Sequence, residues 1–73
     1  MLKTVEETLA MLAAEAEELG YVTFVSGRLV IGVEYHRQQF IWYVDDRRST
    51  PEQASTALEK ARAARRAEHP ALA

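Results

Sequence analysis

Cysteine is absent from this 73-residue sequence, so it can form no disulfide and no cysteine-ligated metal site, and it offers no thiol nucleophile. Histidine is scarce, at two residues, and no apolar run reaches the roughly 18 residues that a membrane-spanning helix requires. The basic start and apolar middle of a signal peptide are also missing. These absences predict a cytoplasmic protein that uses no membrane, no metal and no cofactor.

No charge of one sign dominates the chain. The net charge is −2, which gives the protein no strong overall attraction to nucleic acid or membranes. The two signs are nevertheless separated: the first 19 residues contain five glutamates and one lysine, whereas residues 47–73 contain six basic and three acidic side chains. The acidic and basic ends either attract each other within the fold or present two different surfaces to partners.

The length leaves room for one hydrophobic core, and we expect a single domain over residues 1–73. Hydrophobic residues make up 48% and charged residues 27%, which is typical of a soluble globular domain and excludes a disordered or low-complexity chain. A lone domain of this size is only marginally stable, which favours an interaction partner.

The first segment has the pattern of an amphipathic helix. Apolar residues recur at steps of three and four, which predicts a helix over about residues 4–19. Thr4 followed by Glu7 forms a capping-box pattern at its start. Gly20 stands where a helix commonly ends, because glycine takes a left-handed conformation without a steric clash.

A second helix is predicted over about residues 51–68. Thr50 is a suitable N-cap, Pro51 suits the first helical position, and Gln53 completes a capping box. The segment is rich in alanine, so its apolar stripe is made of small side chains that allow a close approach to the sheet. Residues 70–73 are expected to form a frayed tail.

Between the helices the hydrophobic period changes to two, which predicts β-strands over about 21–26, 28–36 and 39–45. We expect tight turns at Ser26-Gly27 and at Arg37-Gln38. The fold class is therefore α+β: a single small two-layer domain of order α-β-β-β-α, with a three-stranded antiparallel meander and both helices on one face.

The two turns define a register in which Phe24 pairs with Leu29 and Val33 pairs with Trp42. A one-residue slip in the second hairpin would turn Trp42 outward and bring Asp45 inward, so the pattern selects this register. The helices should then cover one face of the sheet. That face carries Val22, Phe24, Leu29, Ile31, Val33, Tyr35, Phe40, Trp42 and Val44.

The opposite face carries the candidate partner-binding residues Tyr21, Val30, Gly32, Ile41 and Tyr43. In the expected register Tyr21, Gly32 and Tyr43 lie in one row, and a glycine in a central strand often marks a close approach by another group. One interpretation is that the tyrosines cover Gly32 as a packing device. A second is that the face binds another protein or a second copy of the chain, and a third is that it stacks nucleobases.

The basic side chains near the end of the chain form a second candidate surface. On the predicted second helix, three arginines and His69 share one face, and two further arginines lie in the loop before the helix. This surface could contact phosphates, bind an acidic protein, or be solvated or paired within the fold. The candidate phosphate contacts are Arg47, Arg48, Arg62, Arg65 and Arg66.

The element order resembles that of double-stranded-RNA-binding domains and of the small HicA-type toxin ribonucleases. Their functional residues have no counterparts here. The RNA-binding domains carry lysines at the start of the second helix, where this chain has Thr50-Pro51-Glu52-Gln53. The toxins carry a histidine at the start of the second strand, where this chain has Arg28-Leu29. The resemblance therefore extends to element order alone.

Groups suited to catalysis are few. Glu34 and His36 share the open face two residues apart, but a flat sheet supplies no pocket for an acid–base pair. Asp45 and Asp46 are adjacent and are interpreted as a solvated turn rather than a metal site. No Gly-rich phosphate loop, Walker motif or HExxH motif is present. We therefore expect no catalytic residues and no enzyme activity.

The leading hypothesis is a small non-catalytic protein-interaction module or regulator, of the kind found among bacterial and phage accessory proteins. It would bind and mask a larger protein, or form a homodimer, through the open sheet face. The alternative is a nucleic-acid-binding domain that uses the basic loop and the second helix.

Overall fold

The computed structural model describes residues 3–68, so the predicted tail and His69 lie outside the described residues. The α+β class is confirmed, with both helices on one face of an antiparallel sheet. The elements are α1 (Val5–Leu19), β1 (Tyr21–Ser26), β2 (Leu29–His36), β3 (Gln39–Val44), β4 (Arg47–Ser49) and α2 (Pro51–Glu68).

The sheet has four strands within the described residues, in the order β1-β2-β3-β4, whereas the sequence pattern predicted three. β3 ends at Val44, and Asp45 and Asp46 form a tight turn with φ values of 51° and 67°. Asp45 holds this turn in place, because its carboxylate accepts a hydrogen bond from the Val30 amide at 3.1 Å. The polar strand β4 has no apolar alternation, which is why the pattern did not predict it.

The first hairpin differs from the predicted register by two residues. The turn is Gly27-Arg28, and Ser26 pairs with Leu29. Gly27 has a φ of 63°, a conformation that glycine adopts without a Cβ penalty, and this places the turn one residue later than expected. Phe24 consequently pairs with Ile31. Because the shift is an even number, every side chain stays on its predicted face.

The second hairpin has the predicted register, with Val33 opposite Trp42. Its two-residue turn places both Arg37 and Gln38 in the left-handed region, at φ values of 51° and 64°. Turns of this type favour Asn-Gly or another glycine-containing pair, so the turn forms despite an unfavourable local sequence. The cross-strand apolar pairs on the helix-covered face provide the compensating stability.

Both predicted capping boxes are present. The Thr4 hydroxyl accepts a hydrogen bond from the Glu7 amide at 3.0 Å, and the Glu7 carboxylate accepts one from the Thr4 amide at 2.9 Å. The hydrogen bonds from Thr4 lower the pKa of Glu7. Thr50 and Gln53 make the equivalent pair of hydrogen bonds at the start of α2, at 3.1 and 2.9 Å. Gly20 ends α1 with a φ of 93°.

The core lies between the sheet and the two helices. α1 contributes a leucine and an alanine, and α2 contributes another such pair, so the small residues allow both helices to approach the strands closely. The buried apolar residues are Leu12, Ala16, Leu29, Ile31, Val33, Trp42, Ala54 and Leu58.

Trp42 is the largest buried side chain on the sheet, with 7% of its surface exposed. We predict that Trp42→Ala lowers the free energy of unfolding by about 3–5 kcal/mol, because it removes the indole and leaves a cavity under the helices. Urea unfolding monitored by circular dichroism measures this change. In the wild type, Trp42 is the only tryptophan, and its emission should be blue-shifted relative to indole in water. A fully stable variant, or water-like emission from the wild type, would contradict this burial.

The turn between β2 and β3 provides a second test. Gln38→Gly should raise the free energy of unfolding by about 0.5–1 kcal/mol, because glycine removes the steric penalty of the left-handed conformation. Gln39→Gly is the matched control. It lies in β3 with extended backbone, so the same substitution should destabilise the protein by a similar amount. Equal effects of the two variants in urea unfolding would argue against the left-handed turn.

Candidate interaction surfaces

The sheet face that points away from the helices, here called the open face, contains all five candidate partner-binding residues. The strand pairing and the alternation of side chains place them together. Arg48 joins them, because it pairs with Tyr43 across β3 and β4. The open face includes Tyr21, Thr23, Val25, Val30, Gly32, Glu34, Ile41, Tyr43 and Arg48.

The predicted row of Tyr21, Gly32 and Tyr43 is wrong, because the register of the first hairpin places Tyr21 opposite Glu34 and Thr23 opposite Gly32. Tyr21 nevertheless reaches Gly32 diagonally. A Cβ built on Gly32 would lie 2.6 Å from the Tyr21 hydroxyl oxygen and 3.3 Å from its Cζ. The Tyr21 ring therefore covers the glycine, which is what the packing interpretation predicted for this tyrosine.

Tyr43 forms the polar centre of the open face. Its hydroxyl donates a hydrogen bond to the Glu34 carboxylate at 3.3 Å. Partial burial of the phenol and the hydrogen bond to Glu34 raise the pKa of Tyr43, while the positive charge of Arg48 acts in the opposite direction. The phenol therefore stays neutral at physiological pH. The centre of the face combines one phenol, one carboxylate and one guanidinium within two neighbouring rows of the sheet.

The apolar part of the open face is concentrated on β1. Tyr21 is 52% exposed and Val25 is 62% exposed, whereas Val30 and Ile41 are half-buried. Val25 was not among the candidate residues, although strand alternation already placed it on this face. Its exposure follows from the tertiary structure, because β1 is an outer strand and only β2 lies beside it.

The five candidate phosphate contacts do not gather on one surface. Arg47 and Arg48 lie in β4 rather than in a loop, and successive strand residues point to opposite faces. Arg48 is on the open face, and Arg47 is on the helix-covered side. Arg65 and Arg66 are exposed on the last turns of α2.

Arg62 forms an internal link between the two helices. Its Nη1 donates a hydrogen bond to the Lys3 carbonyl at 2.7 Å, and its Nη2 donates one to the Thr8 hydroxyl at 3.2 Å. Thr8 is 2% exposed, and its hydroxyl donates in turn to the Thr4 carbonyl at 2.9 Å. Arg62 therefore connects α2 to the first turn of α1, which agrees with a structural role.

A groove of about 420 Å³ lies between the C-terminal half of β1 and the last turns of α2. We call it the basic groove. One wall is apolar and belongs to the strand, and the other consists of guanidinium groups. Its lining residues are Phe24, Val25, Ser26, Arg62, Arg65 and Arg66.

Glu34 and His36, the two groups of the sheet considered for acid–base chemistry, lie in different surroundings. Glu34 is hydrogen-bonded to Tyr43, and His36 is exposed at the end of β2. Over residues 3–68, no group of three or more His, Asp or Glu side chains is arranged to hold a metal ion. Neither α1 nor α2 is long and apolar enough to cross a membrane.

The internal role of Arg62 can be separated from the exposed roles of Arg65 and Arg66. Arg62→Gln should lower the free energy of unfolding by about 1–3 kcal/mol, because glutamine is too short to replace the charged hydrogen bonds to α1. Arg65→Gln and Arg66→Gln are matched controls on the same helix and should change stability by about 0.5 kcal/mol or less. Three variants with equal stability in urea unfolding would contradict the link between the helices.

The comparisons with known proteins found no match for this chain among protein-family models, curated proteins or solved structures. The chemistry of the open face and of the basic groove is therefore the basis for assigning a function.

Proposed function

We propose that the chain is a small non-catalytic interaction protein that binds another protein through the open face. One observation supports this most strongly: two helices bury one side of the sheet, while the other side leaves Tyr21 and Val25 more than half exposed. Exposed apolar surface that adjoins polar groups commonly marks a protein–protein interaction site. A second copy of the chain is included among the partners that this face could bind.

The arrangement of the face suits protein recognition. Tyrosine contributes a large ring at low conformational cost and keeps a hydroxyl group for hydrogen bonding. Tyr43 stands at the centre, with the Glu34 carboxylate held beside it and Arg48 in the next strand. A partner with an apolar centre and a polar rim would match this pattern, because interfaces are most apolar at the core and polar at the edge.

In this proposal the protein acts as a cytoplasmic regulator, as expected for a bacterial or phage accessory protein. Binding a flat apolar surface on a larger protein would prevent that surface from contacting other molecules. The mechanism requires no chemical step.

The nucleic-acid alternative now depends on fewer residues. Arg62 bonds to α1, and Arg47 and Arg48 point to opposite sides of the sheet. Arg65 and Arg66 remain exposed beside the basic groove. Binding that depends on phosphate contacts should weaken steeply as salt concentration rises, because each contact releases condensed counterions.

Tyr43→Ala tests the open face. The variant should fold, because the side chain lies outside the core, and it should weaken binding by about 1–3 kcal/mol, as expected when a central aromatic contact is removed. Gln39→Ala is the matched control: Gln39 is exposed on the same face and strand, and its substitution should leave binding unchanged. Circular dichroism checks the fold of both variants.

Binding is measured by titrating each variant against partner proteins captured from the native host with the wild-type chain, at two salt concentrations. Equal affinity of the wild type and Tyr43→Ala for every such partner would contradict the proposal. A steep loss of affinity with salt, combined with sensitivity to Arg65→Gln and Arg66→Gln, would favour the nucleic-acid alternative instead.

A further inference from the structure

The two outer strands of the sheet differ in how well their free edges are protected. β4 has only three residues, two of which are arginines, and short charged edge strands resist pairing with other chains. β1 has six residues and contains neither charge nor proline. Among the described residues, no strand covers its outer edge. An edge of this length and composition is suited to pairing with a further strand.

The backbone groups at this edge can be identified from the hairpin. A two-residue turn closes on a hydrogen-bonded pair, here Ser26 and Leu29, and the pairs then alternate along the strands. Gly20 continues this alternation, because its carbonyl accepts a hydrogen bond from the Tyr35 amide at 2.8 Å. The amide and carbonyl groups of Tyr21, Thr23 and Val25 therefore point outward, away from β2.

We propose that β1 pairs in antiparallel fashion with β1 of a second copy of this chain, with the two-fold axis at Thr23. The outward-pointing residues are arranged symmetrically about Thr23, so the edge is complementary to itself. Tyr21 of one copy lies opposite Val25 of the other on the open face. On the helix-covered face, the half-buried Val22 lies opposite the half-buried Phe24. The two sheets become one continuous sheet of eight strands.

Charge selects this partner and this direction. The acidic C-terminal turn of α1, with Glu17 and Glu18 exposed, immediately precedes β1. At the other end of β1, Arg65 and Arg66 line the basic groove, and Arg28 is exposed in the turn. An antiparallel pair places each acidic end against the basic end of the other copy. A parallel pair would place like charges together at both ends, which is unfavourable.

The proposed dimer also accounts for the exposed apolar surface beside the acidic C-terminal turn of α1. Among residues 3–68, Leu19 is the most exposed large apolar side chain, at 71%, and it directly precedes the Gly20 cap of α1. In the proposed register it lies beside the Gly27 turn of the second copy, next to the apolar wall of the basic groove. Four large apolar side chains are exposed among residues 3–68, and the dimer brings three of them, Leu19, Tyr21 and Val25, against the second copy.

Charge reversal provides the main test. One variant carries Glu17→Arg and Glu18→Arg, and the other carries Arg65→Glu and Arg66→Glu. Each variant alone has like charges at both ends of the dimer and should dimerise at least about tenfold more weakly than the wild type. An equimolar mixture has opposite charges at both ends, so dimers of one copy of each variant should form with near wild-type affinity.

Sedimentation velocity at low salt measures the wild type, each variant and the mixture over a range of concentrations, and circular dichroism confirms folding. Recovery in the mixture supports the proposal, because a loss of stability in one variant could not be corrected by adding the other. A wild type that remains monomeric at millimolar concentration, or a mixture that does not recover, would overturn it.

Thr23→Pro tests the strand edge directly. Proline removes an amide that points outward, so pairing with β2 is retained while pairing with a second copy is blocked. Thr23→Val is the matched control, since it keeps the amide and a β-branched side chain and should preserve the dimer. A dimer that survives Thr23→Pro but is lost in Tyr43→Ala would place self-association on the open face and overturn the edge contact.

This contact forms through backbone groups of the β1 edge, whereas the proposed function is centred on the side chain of Tyr43. The two share Tyr21 and Val25, but Thr23 and Tyr43 belong to one each, so substitutions at these two residues tell them apart. Tyr43→Ala should leave the edge dimer unchanged, and Thr23→Pro should leave Tyr43 available to a partner. A monomeric wild type whose Thr23 amide becomes protected from hydrogen exchange only when a different protein is added would show that the edge accepts another strand, and it would overturn the second copy as the occupant.

Discussion

The pairing of β2 with β3 is the constraint on which the rest of the structure depends. It places Val33 beside Trp42 on one face, where both are buried under the helices. Because side chains alternate along a strand, burying Trp42 also determines that Tyr43 and Ile41 point to the opposite side. Both helices cover the Trp42 face, so the open face has no cover within the described residues.

Because the domain is small, its two helices leave one face of the sheet exposed. Two helices with small apolar residues can bury only one side of a four-stranded sheet. Most of the apolar surface that stays exposed lies at or next to β1. It belongs to Tyr21 and Val25 on the open face and to Leu19 at the end of α1. The open face and the β1 edge meet at Tyr21 and Val25, so a dimer through the edge would extend the open face into a larger surface for a partner.

The distribution of charge also becomes clear from the fold. α1 carries five of the eleven acidic residues and no basic one, and α2 carries four of the nine basic residues. Arg62 connects α2 to the start of α1 through the Lys3 carbonyl and the Thr8 hydroxyl. Arg65 and Arg66 lie further along the helix, beside the end of β1. Both acceptors of Arg62 are uncharged, and the charge separation seen in the sequence places opposite charges at the two ends of β1.

Local sequence was enough to predict both helices, their capping boxes, the second hairpin and the face to which each residue of β1, β2 and β3 points. These features depend on contacts a few residues apart or on a period of two, which a two-residue shift does not change.

Local sequence could not place the first turn correctly, because turns at Ser26-Gly27 and at Gly27-Arg28 satisfy the same alternation of side chains. The strand β4 also escaped prediction, since three polar residues have no apolar period. The contact of Tyr21 with Gly32 and the hydrogen bond of Arg62 to Thr8 depend on how separate elements pack. Arg62 and Thr8 are 54 residues apart in the chain. Only the three-dimensional arrangement brings such groups together, because no local pattern encodes a contact between distant segments.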